Sequence, residues 1–197
     1  MRLVCASANP KKVAELSRLL PDWVQLLPRP DSVGDIDETA PTLEGNAIIK
    51  AVEIANVAKE WAIADDTGLE VLVLNGAPGV HSARFAGENA TDADNRALLL
   101  QQMSGVADRA AKFRTVVALV NSKGEMHFVS GECSGVIADV ERGDSGFGYD
   151  SVFIPDDADG RTFAEMTAAE KDAISHRGRA LAQLPTLLSR LFGLPTP

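Results

Sequence analysis

Only two cysteines occur in the 197 residues, Cys5 and Cys133. They stand far apart and in no Cys-x-x-Cys spacing, so neither a zinc site nor a disulfide framework is expected. Each lies in an apolar, strand-like run, which predicts buried free thiols. No basic run is long enough to neutralise a phosphate backbone, and the formal net charge is −9. A nucleic-acid polymer is therefore excluded as the main partner. A single nucleotide is not, because a metal and a few lysines can meet its charge. No apolar run is long enough to span a bilayer. Met1-Arg2-Leu3-Val4-Cys5-Ala6 is too short for a secretory signal. No membrane partner and a cytoplasmic location are the expectation. Internal repeats, low-complexity tracts and linkers are missing, as is the Walker pattern Gly-x-x-x-x-Gly-Lys-Ser/Thr.

What remains is ordinary in bulk and specific in detail. The length suits one domain with a sizeable core, or two small lobes sharing one. Leu3 to Ala6 is a short apolar run, read as a buried strand. It meets Ser7-Ala8-Asn9-Pro10-Lys11-Lys12, and then Val13, Leu16, Leu19 and Leu20 at helical spacing. A strand, a small polar loop and a helix form the geometry in which backbone N–H groups and a helix N-terminus hold an anion. Ser7 and Asn9 supply hydrogen-bonding groups there, and Lys11 and Lys12 supply charge. The same residues also read as a plain helix start with Ser or Asn as cap.

Ala64-Asp65-Asp66-Thr67-Gly68 is the stretch with the strongest internal conflict. Trp61 to Ala64 reads as the end of a buried strand, and two carboxylates follow at once. Adjacent aspartates repel, and a buried unpaired carboxylate is costly. A divalent cation such as Mg²⁺, which takes one or two carboxylates and leaves other positions to water and phosphate, relieves both problems. A surface turn is the other reading, since Asp-Asp-Thr-Gly is good turn chemistry. Upstream, Asp31 to Glu38 is acidic and Pro41-Thr42 opens a helix. Ala47, Ala51, Ile54, Ala55 and Ala58 share one face of it, with Glu38, Glu44, Asn46 and Lys50 at or near its start. An acidic loop before a helix is also what a solvated surface looks like.

Leu69 to Leu74 is expected as a further strand, Asn75-Gly76-Ala77-Pro78-Gly79 as a turn, and Val80 to Phe85 as a loop or short strand. Thr91-Asp92-Ala93-Asp94 has the pattern of a helix N-cap. Phe113–Val120 and Met126–Cys133 flank the turn Asn121-Ser122-Lys123-Gly124 as a hairpin. Thr167-Ala168-Ala169-Glu170 is a capping box. Leu181, Leu184, Leu188 and Leu191 form one stripe, which Pro185 should kink or restart. Mixed strands and helices with one hairpin predict α/β or α+β with a mixed sheet.

Three pieces in order carry a resemblance: Ser7 to Lys12, Ile63 to Leu69, and Gly146-Phe147-Gly148-Tyr149-Asp150 with Ser175-His176-Arg177-Gly178. Thr42-Leu43-Glu44-Gly45-Asn46-Ala47 with Lys50-Ala51 adds to them, as does Gly76-Ala77-Pro78-Gly79 with Ser82-Ala83-Arg84. Together they resemble the Ham1/RdgB family of inosine triphosphate pyrophosphatases, from Leu3 to about Leu184. The resemblance implies one ITPase-like domain over residues 1–197, a mixed central β-sheet with flanking helices, and two lobes around a nucleotide-binding cleft. It implies a homodimer and a Mg²⁺-dependent enzyme. The family reaction converts ITP, dITP or XTP to the monophosphate and pyrophosphate, which cleanses the nucleotide pool.

Residue by residue, Ser7, Ala8, Asn9, Pro10, Lys11 and Lys12 match the triphosphate-binding loop. Lys11 stands where the family often has a smaller residue. Asp66 matches the general base and metal ligand, and Glu38 a carboxylate near the metal. Asp65 is a candidate to support the metal ligands from behind, to serve as an alternative ligand, or to share the proton with Asp66. Lys50 resembles a phosphate-neutralising lysine, and Thr67 stands where many members have Ser. Gly45 departs from a common glutamate, and Glu44 is not taken as a ligand. Phe147, Gly148, Tyr149 and Asp150, with Lys171, His176 and Arg177, resemble the nucleobase pocket. An aromatic ring between glycines can stack on a base of any identity. Identity then comes from donors such as Lys171, His176 or Arg177 to the 6-oxygen that adenine lacks. The expected chemistry is metal-assisted water attack on the α-phosphorus, with Mg²⁺ on Glu38 and Asp66, Asp66 taking the proton, and Lys12 and Lys50 steadying the leaving group. The Maf-like pyrophosphatases are the rival enzyme class, but their Ser-x-Ser-Pro-Arg-Arg type loop is not the one present. A non-catalytic nucleotide-binding protein is the rival from another class.

Overall fold

Period-two alternation decides the layering. In an extended chain, successive side chains point to opposite faces. In the computed structural model, which describes residues 1–193, β1 (Arg2–Cys5) and β3 (Ala62–Val71) obey this rule. Leu3, Cys5, Ile63, Val117 and Leu119 fall into one apolar cluster with Leu16 of α1 (Pro10–Leu19) and with Leu181, Leu184 and Leu188. Their sequence neighbours Val4, Ala6, Ala62, Ala64, Ala118 and Val120 fall into another, with Ala47, Ala51 and Ile54 of α2 (Leu43–Ala58). Helices thus flank the sheet on both faces here. The tail Leu194-Pro195-Thr196-Pro197 lies outside the described residues.

The remaining elements are β2 (Gln25–Leu27), β4 (Pro78–Gly79), α3 (Asp92–Gln102), β5 (Ala110–Val120), β6 (Met126–Ile137), β7 (Phe153–Pro155), α4 (Ala168–Ile174), α5 (His176–Leu181) and α6 (Leu184–Phe192). The sheet has seven strands in the order β2-β1-β3-β5-β6-β7, with β4 on β3 off that path. β1 runs parallel to β2 and β3, whereas β4 on β3 and β7 on β6 are antiparallel. The expected mixed sheet with flanking helices is the architecture found.

The chain divides into two compact units. The first holds residues 1–66, 115–131 and 177 onward, and the second holds residues 67–114 and 132–176. β3, β5 and β6 therefore each change unit partway along. The second unit has its own core of Leu69, Val71, Leu99, Met103, Phe113, Phe153 and Phe163. Phe113 meets Phe153 edge to face at 4.8 Å. Glycine is required where backbone crosses backbone: a Cβ on Gly68 would stand 2.6 Å from the Gly79 carbonyl oxygen.

The local signals in the sequence hold well. Thr91 and Thr167 close capping boxes with Asp94 and Glu170. Pro185 lies in the first turn of α6, so it restarts the helix. Asn121 Oδ1 accepts from the N–H groups of Lys123 and Glu125 and shapes the hairpin turn. Both cysteines are free and buried. Three expectations need correction. The strand does not end at Ala64: β3 runs unbroken through Asp65 to Gly68, because each aspartate finds cationic partners on its own face and neither needs a turn to reach water. Leu72–Leu74 is a 3₁₀ turn, closed by Asn75 at φ +54°, and not strand. Pro78-Gly79, read as the end of a turn, instead pairs with β3 as β4, whereas Ser82–Arg84 forms a 3₁₀ turn within the expected loop.

Ile54 is fully buried between α2 and the sheet. Ile54→Ala should cost about 2–5 kcal/mol of unfolding free energy in a urea titration, and a change under about 0.5 kcal/mol would contradict this packing.

Candidate active site

The same alternation separates the two aspartates. Asp65 follows Ile63 onto the α1 face, and Asp66 follows Ala64 onto the α2 face. Asp65 is 1% exposed. Its Oδ2 accepts from Arg177 Nη2 at 2.9 Å and Nε at 3.3 Å, and Lys12 Nζ stands 3.3 Å away. Arg177 Nη1 donates to Glu15 Oε2, which ties α1 into the same network. Burial pushes the Asp65 carboxyl up, but Lys12 and Arg177 together overturn that and hold it far below the usual carboxylate range. Burial opposes the charge on Arg177 too, and Asp65 and Glu15 outweigh it. Lys12 and Arg177 thus keep Asp65 as an anion.

Asp66 is 5% exposed and differently held. Lys50 Nζ donates to its Oδ1 at 3.1 Å, and Asn46 Nδ2 reaches its Oδ2 at 3.4 Å. The same ammonium stands 2.6 Å from Glu38 Oε1. Burial raises the Asp66 pKa, and Lys50 and Lys12 only partly offset it. For Lys50, burial is outweighed by Asp66 and then Glu38, so its pKa also rises. The two directions agree physically. One ammonium gains from two carboxylates, whereas Asp66 shares that ammonium with a second anion.

Helix α2 builds this corner. Thr42 Oγ1 caps it by accepting from Gly45 N at 3.1 Å. Gly45 has no room for a Cβ against the Ala40 side chain, so the incoming loop folds closely onto the first turn. Asn46 Oδ1 then accepts from Ala40 N at 2.9 Å. Asn46 and Lys50 are four residues apart and share a face. At the start of α1, Asn9 Oδ1 accepts from Lys11 N at 2.9 Å and Lys12 N at 3.3 Å, and Ser7 Oγ accepts from Asn9 N at 3.2 Å. Ala8, Asn9, Pro10 and Lys11 are exposed there. Asn9 is thus a true cap, and the helix N-terminus it caps remains open to an anion.

The second unit holds the other predicted residues. Asp150 Oδ2 accepts from Phe147 N at 2.8 Å and Lys171 Nζ at 2.7 Å. A Cβ on Gly146, at φ +79°, would run into that carboxylate. Lys171 Nζ also lies 4.9 Å from the centre of the half-buried Phe147 ring, a cation–π contact. Gly148 is gripped from both sides by α3: its N–H donates to Asp92 Oδ2 at 2.8 Å and its carbonyl accepts from Arg96 Nη1 at 2.9 Å. Tyr149 is buried, with its hydroxyl donating to the Ser82 carbonyl at 2.8 Å, so it anchors the loop. His176 is buried and stacked on Phe113 at 4.4 Å. Thr67 is half-buried on β3.

Phe147, Asp150 and Lys171 are therefore brought together, as are Glu38, Lys50 and Asp66. Arg177 is not grouped with Lys171. Its guanidinium is committed to Asp65 and Glu15, so a bond to a base would require exchanging those partners. Asp65 is committed to Lys12 and Arg177. Sequence reasoning named Asn46 without its partners Asp66 and Ala40, and it missed Glu15, which meets Arg177. It also missed Asp92 and Arg96, which nothing in the sequence connects to Gly148. Among the described residues, no group of three or more His, Cys, Asp or Glu is placed to hold a metal. Glu38 and Asp66 nonetheless converge on one cationic centre, the Lys50 ammonium. Two carboxylates with phosphate and water completing the shell is a donor set that fits Mg²⁺.

Comparison with known proteins gives one consistent result. The model of the Ham1 family matches residues 3–187. A dITP/XTP pyrophosphatase of Mycolicibacterium paratuberculosis is 49% identical, over 96% of each chain. One from Flavobacterium johnsoniae is 44% identical, over 96% of this chain and 98% of the other. Among solved structures, a HAM1 protein from Coxiella burnetii superposes with a TM-score of 0.88 at 43% identity, covering 96% of this chain and 99% of that one. The Staphylococcus aureus Ham1 protein gives 0.86 at 36% identity, covering 97% and 100%.

The α3 grip on Gly148 is open to test by hydrogen exchange. A bond to a charged acceptor is worth about 1.5–3 kcal/mol. Asp92→Ala should therefore speed exchange of the Gly148 amide roughly 10- to 100-fold with global stability little changed. An unaltered rate would show that Asp92 does not hold the loop.

Proposed function

Since the chain belongs to the Ham1 family, we propose that it is a nucleoside-triphosphate pyrophosphatase acting on dITP, ITP and XTP. The products are the nucleoside monophosphate and pyrophosphate, and the role is to clear deaminated purines from the nucleotide pool. The observation that carries this reading is the convergence of Glu38 and Asp66 on one cation position, at 2.6 and 3.1 Å from Lys50 Nζ.

Glu38 and Asp66 would hold Mg²⁺, which when bound supplies Lewis-acid polarisation of the phosphate oxygens. Ser7, Asn9 and the N-terminus of α1 bind phosphate oxygens, with Ala8, Pro10 and Lys11 forming the rest of the loop. Asp66 takes a proton from the attacking water, a task its raised pKa suits. The water oxygen bonds to the α-phosphorus as the α–β bridging bond breaks, and pyrophosphate leaves with the electron pair. Lys12 and Lys50 meet the growing charge on the leaving group, and Thr67 offers a hydroxyl. Asp65 holds Lys12 in place. In the second unit, Phe147 offers a stacking face, Gly148 gives the backbone room, and Asp150 aims Lys171, which donates to the 6-oxygen of hypoxanthine or xanthine. Tyr149 and His176 support that group from within the core. A single domain, a homodimer and a cytoplasmic setting complete the proposal, the last because the substrates are pool nucleotides.

Pyrophosphate release from dITP, ITP, XTP, GTP and ATP with Mg²⁺ present tests it. The deaminated purines should turn over fastest and ATP slowest, since adenine leaves a buried donor without its acceptor. Asp66→Asn should lower kcat roughly 10²- to 10⁴-fold while nucleotide binding persists. Equal turnover of all five nucleotides would sink the base assignment, and no release from any would leave a non-catalytic binder.

A further inference from the structure

Lys50 stands where the metal is expected. Its ammonium lies 2.6 Å from Glu38 Oε1 and 3.1 Å from Asp66 Oδ1, and the side chain is buried. Lys50 is not the only group that positions this corner of the site. Asn46 holds the other oxygen of Asp66, and by accepting from Ala40 N it also holds the loop that carries Glu38. Those bonds would remain if the ammonium moved away. A dication cannot share that spot with a buried ammonium without strong like-charge repulsion. A lysine is suited to moving, being a compact charge on a flexible four-carbon stem.

We propose that Lys50 acts as a resident counter-cation that keeps divalent metal out of the free protein, so that metal enters only with the polyphosphate that takes the ammonium over. This rests on Glu38 and Asp66 being the metal carboxylates. The free protein then needs no metal to neutralise its buried acids, which answers the instability that Asp65-Asp66 first suggested. With a polyphosphate present, the balance reverses. Its oxygens accept from Lys50 and also complete the shell of the cation, so Glu38 and Asp66 exchange one positive partner for another. Lys50 thereby serves twice: it blocks premature metal binding and then steadies the leaving group. Metal and nucleotide binding become coupled through one side chain.

The test is Mn²⁺ binding to the full chain without nucleotide, followed by calorimetry. Wild type should bind at this position only at millimolar or weaker levels. Lys50→Met should bind one Mn²⁺ at least about 10-fold more tightly, and that gain should vanish when Asp66→Asn is added. Lys50→Arg, which keeps the charge, should stay weak. If Lys50→Met folds poorly, Lys50→Gln serves as the neutral variant, and a larger rise of Tm on adding Mn²⁺ than in wild type reports the same gain. Equal affinity in wild type and Lys50→Met would overturn the inference. So would micromolar binding by wild type that Asp66→Asn removes, or no binding by either protein. The metal assignment itself is tested apart: Glu38→Gln should raise the Mg²⁺ needed for half-maximal pyrophosphate release, and an unchanged requirement would count against that assignment alone.

Discussion

Arg177 and Asp65 lie 112 positions apart in the chain, and two nitrogens of one meet a single oxygen of the other. The third nitrogen reaches Glu15. One guanidinium thus ties the start of α5, the middle of β3 and the inner face of α1. All three side chains are buried, and an arginine so placed is held by a fork of fixed donors that lysine could not imitate. Removing one member would leave uncompensated buried charge, which costs far more than the network gains over an apolar filling. The network therefore fixes the geometry more than it adds stability. It pins β3 at Asp65 and draws Lys12, in the first turn of α1, to the same anchor.

The consequence appears one residue later. Because β3 stays extended through Asp65 and Asp66, the second carboxylate must face the other way, toward α2. There it meets a lysine shared with Glu38 and an amide from Asn46. The two neighbours are chemically alike in sequence and opposed in state. One is an anion locked well below the usual range, and the other is a carboxylate that burial has pushed upward. A proton acceptor and metal ligand needs the second environment. A buried anchor needs the first.

Much of this was legible from residues alone. Helix starts at Thr91 and Thr167, the hairpin about Asn121-Gly124, and the buried cysteines follow from local chemistry, and local chemistry prevailed. Glu38, Lys50 and Asp66 were named as a group through the family resemblance, and the fold assembles them. What sequence could not give was partner choice over long range. Nothing near Asp65 announces Arg177, and nothing near Gly148 announces Asp92 or Arg96. The strand read as ending at Ala64 runs on to Val71 for that reason: tertiary cations made an extended path through two carboxylates tolerable. Arg177 was placed with the base residues because it follows His176 in the motif. The unit boundary falls between those two residues, and each side chain joins a different cluster.

The two adjacent aspartates sit in opposed environments, and unfolding free energy measured in urea at neutral pH compares them directly. Asp65→Asn should lose about 3–5 kcal/mol, since it strands a buried arginine. Asp66→Asn should change stability by less than about 1 kcal/mol, because its carboxylate is one the fold already disfavours as an anion and Lys50 keeps Glu38. Equal losses in the two variants, or a larger loss at Asp66, would contradict the division of labour on β3.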